Sequence, residues 1–382
     1  MTAGPGSLRL SGLRTVVPGP GLPADVEVGR SNNNLDVVDF AGRRWMAWRT
    51  ARSHFASADA RLEVVSSPDL GTTWEHETTI ALGRDIREPR FLVWDGRLLL
   101  YAFEGGTNPR RFEPGRVLVI EHWADDGWTA PSFISPPGCV VWRVRLIDGH
   151  PVMSLYRGAE TLFTAHPQPL TAELWTTDDG FAWGPLDPSR EVLVAGGTET
   201  ELAELADGRV VYVCRKEGPD HGWGTDIGIA PAYDRLDVTW RSVPEKCDSP
   251  LLVRHRSGLR LITRRQLAFA GRFDQGWSRG SNLLKTRAYQ ASYSLTRKRT
   301  AVYDVDVDHL SLTHLGDLPS RGDTAFAAVV DADGGDPVDA DRWTVYNYTS
   351  PLDGPDLPWL ASQLRPTQIV AVDLDLEPEL PG

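Results

Sequence analysis

Residues 87–103 read REPRFLVWDGRLLLYAF: a run of strand-forming residues, a turn built on Asp95-Gly96, and a second apolar run. An Asp-Gly pair between two such runs is the signature of a tight β-hairpin, because both turn positions need a positive φ. The same form recurs in NNNLDVVDFAGRRWMAWRT (32–50), WRVRLIDGHPVMSLYRG (142–158), ETELAELADGRVVYVCRKEG (199–218) and CDSPLLVRHRSGLRLITRR (247–265). A sixth copy with a longer turn spans 322–350. The turn glycines Gly42, Gly96, Gly149, Gly208 and Gly258 are spaced 54, 53, 59 and 50 residues apart.

Each hairpin is followed by further short strand patterns, such as RLEVVSS (61–67), RVLVIEHW (116–123) and AELWTT (172–177). Three or four strands repeating near every fifty residues describe the blades of a β-propeller. The expected fold is all-β and six-bladed, or five-bladed if the last unit only closes the ring. One domain is expected over 1–382, with SLRLSGLRTVV (7–17) and QIVAVDLDL (368–376) sharing the closing blade. Residues 266–292 read as an insertion loop or short helix within the fifth unit.

Composition agrees. Gly and Pro number 36 and 28 in 382 residues, too many for a protein of long helices, while 41% hydrophobic content is too high for disorder. Lys plus Arg total 40 against 52 Asp plus Glu, a net charge of −12, which disfavours a nucleic-acid or anionic-membrane partner. No stretch approaches the length of an apolar membrane span, and no charged segment followed by an apolar run marks an export signal. Cys139, Cys214 and Cys247 are odd in number and far apart, forming neither a disulfide framework nor a metal-binding spacing. These features point to a soluble cytoplasmic protein with reduced thiols and to no metal or cofactor.

Ser67-Pro68-Asp69-Leu70-Gly71-Thr72-Thr73-Trp74 and Thr176-Thr177-Asp178-Asp179-Gly180-Phe181-Ala182-Trp183 both fit S/T-x-D-x-G-x-x-W. They resemble the Asp-box (BNR repeat) of the sialidase-like propellers, and HWADDGW (122–128) and DRLDVTW (234–240) look like decayed copies. The resemblance makes Asp69 and Asp178 structural, lying in hairpin turns away from the active site. ETELAELADGRVVYVCRKEG also resembles the sialidase segment that supplies a Glu and one Arg of the carboxylate-binding triad, which corresponds here to Glu199 or Glu201 and to Arg215. Where sialidases open with an R-I-P-like element, this chain has Asn34-Leu35-Asp36. An Asp there is similar to the five-bladed arabinanase and fructosidase type of glycoside hydrolase, whose first-blade Asp is a base or nucleophile.

In a propeller the first residues of each inner strand and the last residues of the next strand meet at one mouth. The strand starts hold Asp36, Glu88, Arg90, Arg143, Arg145, Glu199, Glu201, Asp248 and Asp323. The strand ends hold Arg49, Arg157, Arg215, Arg264, Arg265, Tyr346 and Tyr348, and His54 follows the first hairpin. Paired carboxylates and arginines in a concave site are where shifted pKa values and catalysis are found. Glycoside hydrolysis needs two carboxyl groups across the scissile bond. The preferred pair is Asp36 as base or nucleophile and Glu201 as acid, with Glu199 competing for the acid position and Asp248 a further carboxylate. Tyr346 or Tyr348, beside Glu199 and Glu201, is a candidate nucleophile of the sialidase kind. Arg49, His54, Glu88, Arg90, Arg143, Arg157, Arg215, Arg264 and Asp323 are candidate substrate-binding groups, the arginines suiting an acidic sugar. Of the tryptophans near loops or strand starts (Trp142, Trp223, Trp277, Trp359), Trp223 and Trp277 are preferred as stacking platforms. The leading expectation is an exo-acting glycoside hydrolase on a small, acidic saccharide. The alternatives are a uronate lyase using Tyr, His and Arg, and a non-catalytic propeller that binds a glycan or a protein.

Overall fold

The computed structural model describes residues 8–161, 168–217 and 222–376. They form six antiparallel sheets of at least four strands each, arranged as the blades of a propeller. The inner strands are Ser31–Phe40, Ile86–Trp94, Val140–Ile147, Gly197–Glu204, Asp248–His255 and Ala325–Asp331. Each pairs with the strand that follows it: Arg43–Ala51, Arg97–Glu104, His150–Arg157, Val210–Lys216, Gly258–Gln266 and Arg342–Thr349. The first three hairpins turn on Ala41-Gly42, Asp95-Gly96 and Asp148-Gly149, with positive φ at both residues of each pair. That backbone twist matches the twist of the flanking strands.

The sixth blade joins the two ends of the chain. Arg9–Val17 is its outermost strand and pairs antiparallel with Gln368–Asp375, Thr15 opposite Val370 and Val17 opposite Ile369. The core is divided into apolar layers between neighbouring blades. One packs Trp45, Leu62 and Val64 of the first blade on Phe91, Leu98 and Ile120 of the second. Another packs Leu251 and Ile262 of the fifth on Trp343 and Val345 of the sixth.

All six inner strands carry one extra residue near their start. The register slips by one between Asn33 and Leu35, Arg87 and Arg90, Val141 and Arg143, Gly197 and Thr200, Asp248 and Leu251, and Ala325 and Ala328. In four of them a non-glycine residue takes a left-handed φ: Asn34 (47°), Glu88 (57°), Ser249 (51°) and Phe326 (54°). A bulge re-aims side chains locally and stores backbone strain. Repeated six times, it forms a ring at one mouth of the channel.

The two turns with the S/T-x-D-x-G-x-x-W pattern join the third and fourth strands of the first and third blades, on the opposite face. In the first, Asp69 Oδ1 accepts from the backbone N–H groups of Thr72 (3.1 Å) and Thr73 (2.8 Å), and Ser67 Oγ accepts from Gly71 N (2.8 Å). In the third blade the same bonds run from Phe181 N and Ala182 N (both 2.7 Å) to Asp179 Oδ1, and from Gly180 N (3.0 Å) to Thr177 Oγ1. The turn-holding carboxylate is therefore Asp179 rather than Asp178, and this second turn is one residue shorter. Within the 266–292 segment, helix α1 (Asn282–Ser294) is capped by Ser281, whose Oγ accepts from Leu284 N. Its Tyr289 and Tyr293 pack with Phe273 against Trp223 and Trp359, which sets α1 beside the bulged mouth.

Candidate active site at the bulged mouth

A cavity of about 780 Å³ opens at this mouth. Its wall includes His54 and Phe55 from the first blade, Asp85 and Arg87 from the second, Glu217 from the fourth, Leu283, Arg287 and Leu295 from the α1 segment, and Trp359 from the sixth. The loop bearing His54 is tied down by two guanidinium groups that share one buried carboxylate. Arg49 and Asp85 form an ion pair (2.7 Å) with both side chains fully buried, and Arg87 meets the other Asp85 oxygen at 2.6 Å. Arg49 then donates to the carbonyls of Ser53 (3.2 Å) and Phe55 (3.1 Å), and Arg87 donates to that of His54 (2.5 Å). Arg49 is thus consumed in shaping the wall.

His54 Nδ1 lies 2.8 Å from Asp323 Oδ2. The other Asp323 oxygen accepts from Tyr348 Oη (3.1 Å) and Trp359 Nε1 (3.0 Å). Burial lowers the His54 pKa, with Arg87 and Arg49 acting in the same direction and Asp323 opposing. Burial raises that of Tyr348 well above its ordinary value, and Asp323 adds to the rise. Tyr348 therefore stands as a neutral phenol donating to a carboxylate.

One residue inward of Arg87 stands Glu88, at the second-blade bulge. Its Oε1 accepts from Asn34 Nδ2 (3.0 Å), and Arg90 Nη2 is 3.4 Å from Oε2. Burial pushes the Glu88 pKa up to about 7; the Glu199 charge adds to the rise, while Arg90, Arg87 and Asn34 oppose it. Glu199, from the fourth blade, accepts from Ser249 N (2.6 Å) and faces Arg215 at 2.8 Å. Burial raises its pKa too, against the pull of Arg215. Arg215 also contacts Glu217 (3.2 Å) and Asp248 (3.4 Å). Asp248 is a hub: Arg264 at 2.8 Å, Lys246 at 3.7 Å and the Tyr293 hydroxyl all converge on it. Burial alone would raise Asp248, but Lys246, Arg264 and Arg215 overcome that and hold it far below the usual carboxylate range. A group so held is a fixed anion, not a proton carrier.

Deeper in, the channel is stoppered. The Arg90 guanidinium, fully buried, lies over the rings of Trp142 (4.8 Å) and Phe326 (5.2 Å) and donates to the Trp142 carbonyl. Asp36 and Glu201 sit at the next level of the channel. Glu201 has no exposed surface and is gripped by Arg143 (2.5 Å) and Arg145 (3.2 Å). Asp36 accepts from Phe91 N (2.9 Å) and lies 3.7 Å from Arg143. Asp36, Arg143 and Arg145 line a second cavity, of about 650 Å³, formed by the far ends of the inner strands. Glu88, Glu199, Asp248, Asp323, Tyr348, Arg215, Arg264, Arg49 and His54 are thus gathered at the bulged mouth, and Asp36, Glu201 and Arg143 are set apart from them. Arg157 ends the second strand of the third blade and is half-buried.

Among the tryptophans, Trp359 reaches the cavity wall and carries Arg264 over its ring at 4.5 Å. Trp223 instead donates to Thr286 of α1 (2.7 Å), and Trp277 packs on Tyr289. Sequence reasoning misses Asp85, Arg87, Glu217 and Lys246. The repeat offers a signal for Arg87, which opens the second hairpin unit. Asp85 and Lys246 lie just before an inner strand and Glu217 just after a second strand, outside the paired hairpin strands that the repeat marks. Among the described residues no cluster of three or more His, Cys, Asp or Glu side chains is placed to hold a metal ion, the three cysteines are buried and unpaired, and no helix is long and apolar enough to cross a membrane.

The fold is a six-bladed β-propeller like that of solved sialidase structures. No family model matches the chain, and no curated protein matches it. Trypanosoma rangeli sialidase aligns over 95% of this chain with a TM-score of 0.62 and 13% identity, and the chain spans only 59% of that protein's length. Phage phi92 endosialidase aligns over 97% of this chain and 70% of its own (TM-score 0.60, 9% identity). Penicillium chrysogenum α-L-arabinanase, solved with arabinobiose, aligns over 95% of this chain and 98% of its own (TM-score 0.55, 12% identity). At such identities the likeness is one of fold.

Proposed function

We propose that the protein is an exo-acting glycoside hydrolase whose working carboxyl groups are Glu88 and Glu199. The observation that carries this reading is the pairing of two buried carboxyl groups from the second and fourth blades at a blind mouth, one of them raised to about 7. A carboxyl group with that pKa holds its proton near neutrality and can pass it to a leaving glycosidic oxygen. Glu199, held by Ser249 N and Arg215, is the carboxylate that meets the anomeric carbon. Asp36 and Glu201, the pair the sequence favoured, fit this role less well, because Arg143 and Arg145 already bind Glu201 and the Arg90 stopper lies between them and the mouth.

Exo action follows from the stopper: a blind pocket takes the end of a saccharide rather than its middle. Arg110, Arg111 and Arg287, exposed on the cavity wall, suit an acidic substituent. The similar solved structures include two sialidases and an arabinanase, which supports a saccharide substrate.

The test is a panel of aryl glycosides with neutral and acidic sugars, run on the wild type, Glu88→Gln and Glu199→Gln. Wild-type turnover should fall as pH rises above about 7, where Glu88 loses its proton. Both substitutions should lower kcat by about 10²–10⁴-fold. A uronate lyase is the second reading, favoured by the meeting of His54, Tyr348 and Arg87 at the same mouth. Ultraviolet absorbance from a new double bond on uronate oligosaccharides, without release of aryl alcohol, would select it.

A further inference from the structure

The proposed pair leaves one built feature of the mouth unused. Asp323 has no exposed surface; its Oδ2 lies 2.8 Å from His54 Nδ1, and its Oδ1 accepts from Tyr348 and Trp359. Two groups face Nδ1, the Asp323 carboxylate at 2.8 Å and the Asn33 amide Nδ2 at 3.4 Å; the nearer, charged carboxylate favours a proton on Nδ1, which leaves the Nε2 lone pair available. Among the described residues Nε2 has no hydrogen-bond partner, and the ring stands on the cavity wall, its side chain 17% exposed. The backbone on both sides of the ring is pinned through Arg49 and Arg87 to Asp85. A surface loop gains nothing in exposure or packing from such anchoring; an imidazole that must hold one direction does.

We infer that His54 is the general base of the reaction, its Nε2 taking the proton from the water that releases the sugar. The inference rests on the hydrolase reading above. In the first step the Glu88 proton passes to the glycosidic oxygen, the bond from that oxygen to the anomeric carbon breaks, and a Glu199 oxygen bonds the carbon. In the second, water bonds the anomeric carbon, its proton goes to His54 Nε2, and the bond to Glu199 breaks with its electron pair returning to the carboxylate. The imidazolium gives its proton to solvent through the open cavity, and Glu88 recovers one from the same source. The net change is the addition of one water.

Glu88 is less suited to the second step. It lies deeper than His54, whose ring stands on the cavity wall where water enters. The charged and titratable groups around His54 are Asp323 and Tyr348 from the sixth blade, Arg49 from its own blade, and Asp85 and Arg87 from the second. Asp323 is a positioning residue in this scheme.

The test uses an aryl glycoside that the wild type turns over and that Glu88→Gln does not. With this substrate, His54→Gln and His54→Ala should give a burst of about one equivalent of aryl alcohol, then a steady rate lowered about 10²–10⁴-fold. Intact mass should show the protein heavier by one glycosyl unit. Azide, which attacks without a base, should restore turnover and yield the glycosyl azide. The restored reaction should lack the wild-type loss of rate at low pH. A His54→Gln variant with unchanged kcat, or one slowed equally in burst and steady state with no adduct, overturns the assignment while leaving the hydrolase reading intact. A wild type inert on the whole panel overturns both.

Discussion

Glu88 shows how one backbone position sets a side chain's chemistry. Its left-handed φ of 57° turns the carboxyl into the throat of the channel, where burial and the facing Glu199 raise its pKa to about 7. The folded state then keeps a proton that the unfolded chain releases near pH 4.5. Stability from this group is fully present below pH 4.5 and is lost as the pH rises toward 7. The loss is on the order of 3 kcal/mol, since each tenfold gain in proton affinity is worth about 1.4 kcal/mol. Glu88→Gln has no proton to lose. Urea unfolding from pH 4.5 to 8 should show the wild type losing stability relative to this variant by that amount, mostly below pH 7. A difference independent of pH would show that Glu88 is not raised.

At the scale of the element, the loop between the first hairpin and the third strand of its blade is a device for holding His54. Its geometry comes from Arg49 and Arg87 rather than from its own sequence, and both depend on Asp85. Asp85→Asn leaves two buried guanidinium groups facing a neutral amide. Breaking such a network by removing one partner costs about 3–5 kcal/mol. The damage should be local as well as global: amide hydrogen exchange should quicken at residues 51–60 and stay slow in the helix 282–294. Uniform quickening across the chain would mean that the loop has no separate anchorage. Helix α1 has its own support in the Phe273, Tyr289 and Tyr293 cluster, with Trp223 and Trp359 packed against it.

Over the whole molecule, ring closure is what keeps blades from six parts of the chain around one channel. The strand Arg9–Val17 completes the sixth blade, and Val16 and Val17 are buried at the layer against the first blade. Removing residues 1–17 takes away both valines with their burial and bares the edge of Gln368–Asp375. Burial of a valine is worth about 1.5–3 kcal/mol, so a loss of at least ~3 kcal/mol is expected from denaturant unfolding. An unpaired edge strand also invites pairing between molecules, so sedimentation should show more association than the full chain gives. A truncated chain of unchanged stability would mean that the closing strand is dispensable.

The propeller was legible because its evidence is local and repeated. Gly42, Gly96 and Gly149 announce their hairpins within a few residues, and the fifty-residue period turns hairpins into blades. The same period placed Glu88, Glu199, Asp248, Tyr348, Arg215 and His54 near one mouth, since strand starts and strand ends must meet there. What the sequence could not carry was the single extra residue in each inner strand. A bulge leaves no reliable mark in a pattern of alternating residues, yet it decides which side chain enters the channel and at what depth. Asp36 and Glu88 looked alike as strand-start carboxylates; the fold sends one past the Arg90 stopper and leaves the other at the throat. The same one-residue uncertainty separated Asp178 from Asp179, where only the backbone bonds show which carboxylate holds the turn. Glycine turns, apolar strands and their period belong to neighbours along the chain, so the sequence alone determines them. Burial, ion pairing and proton affinity belong to neighbours in space drawn from different blades, and only the closed ring brings those together.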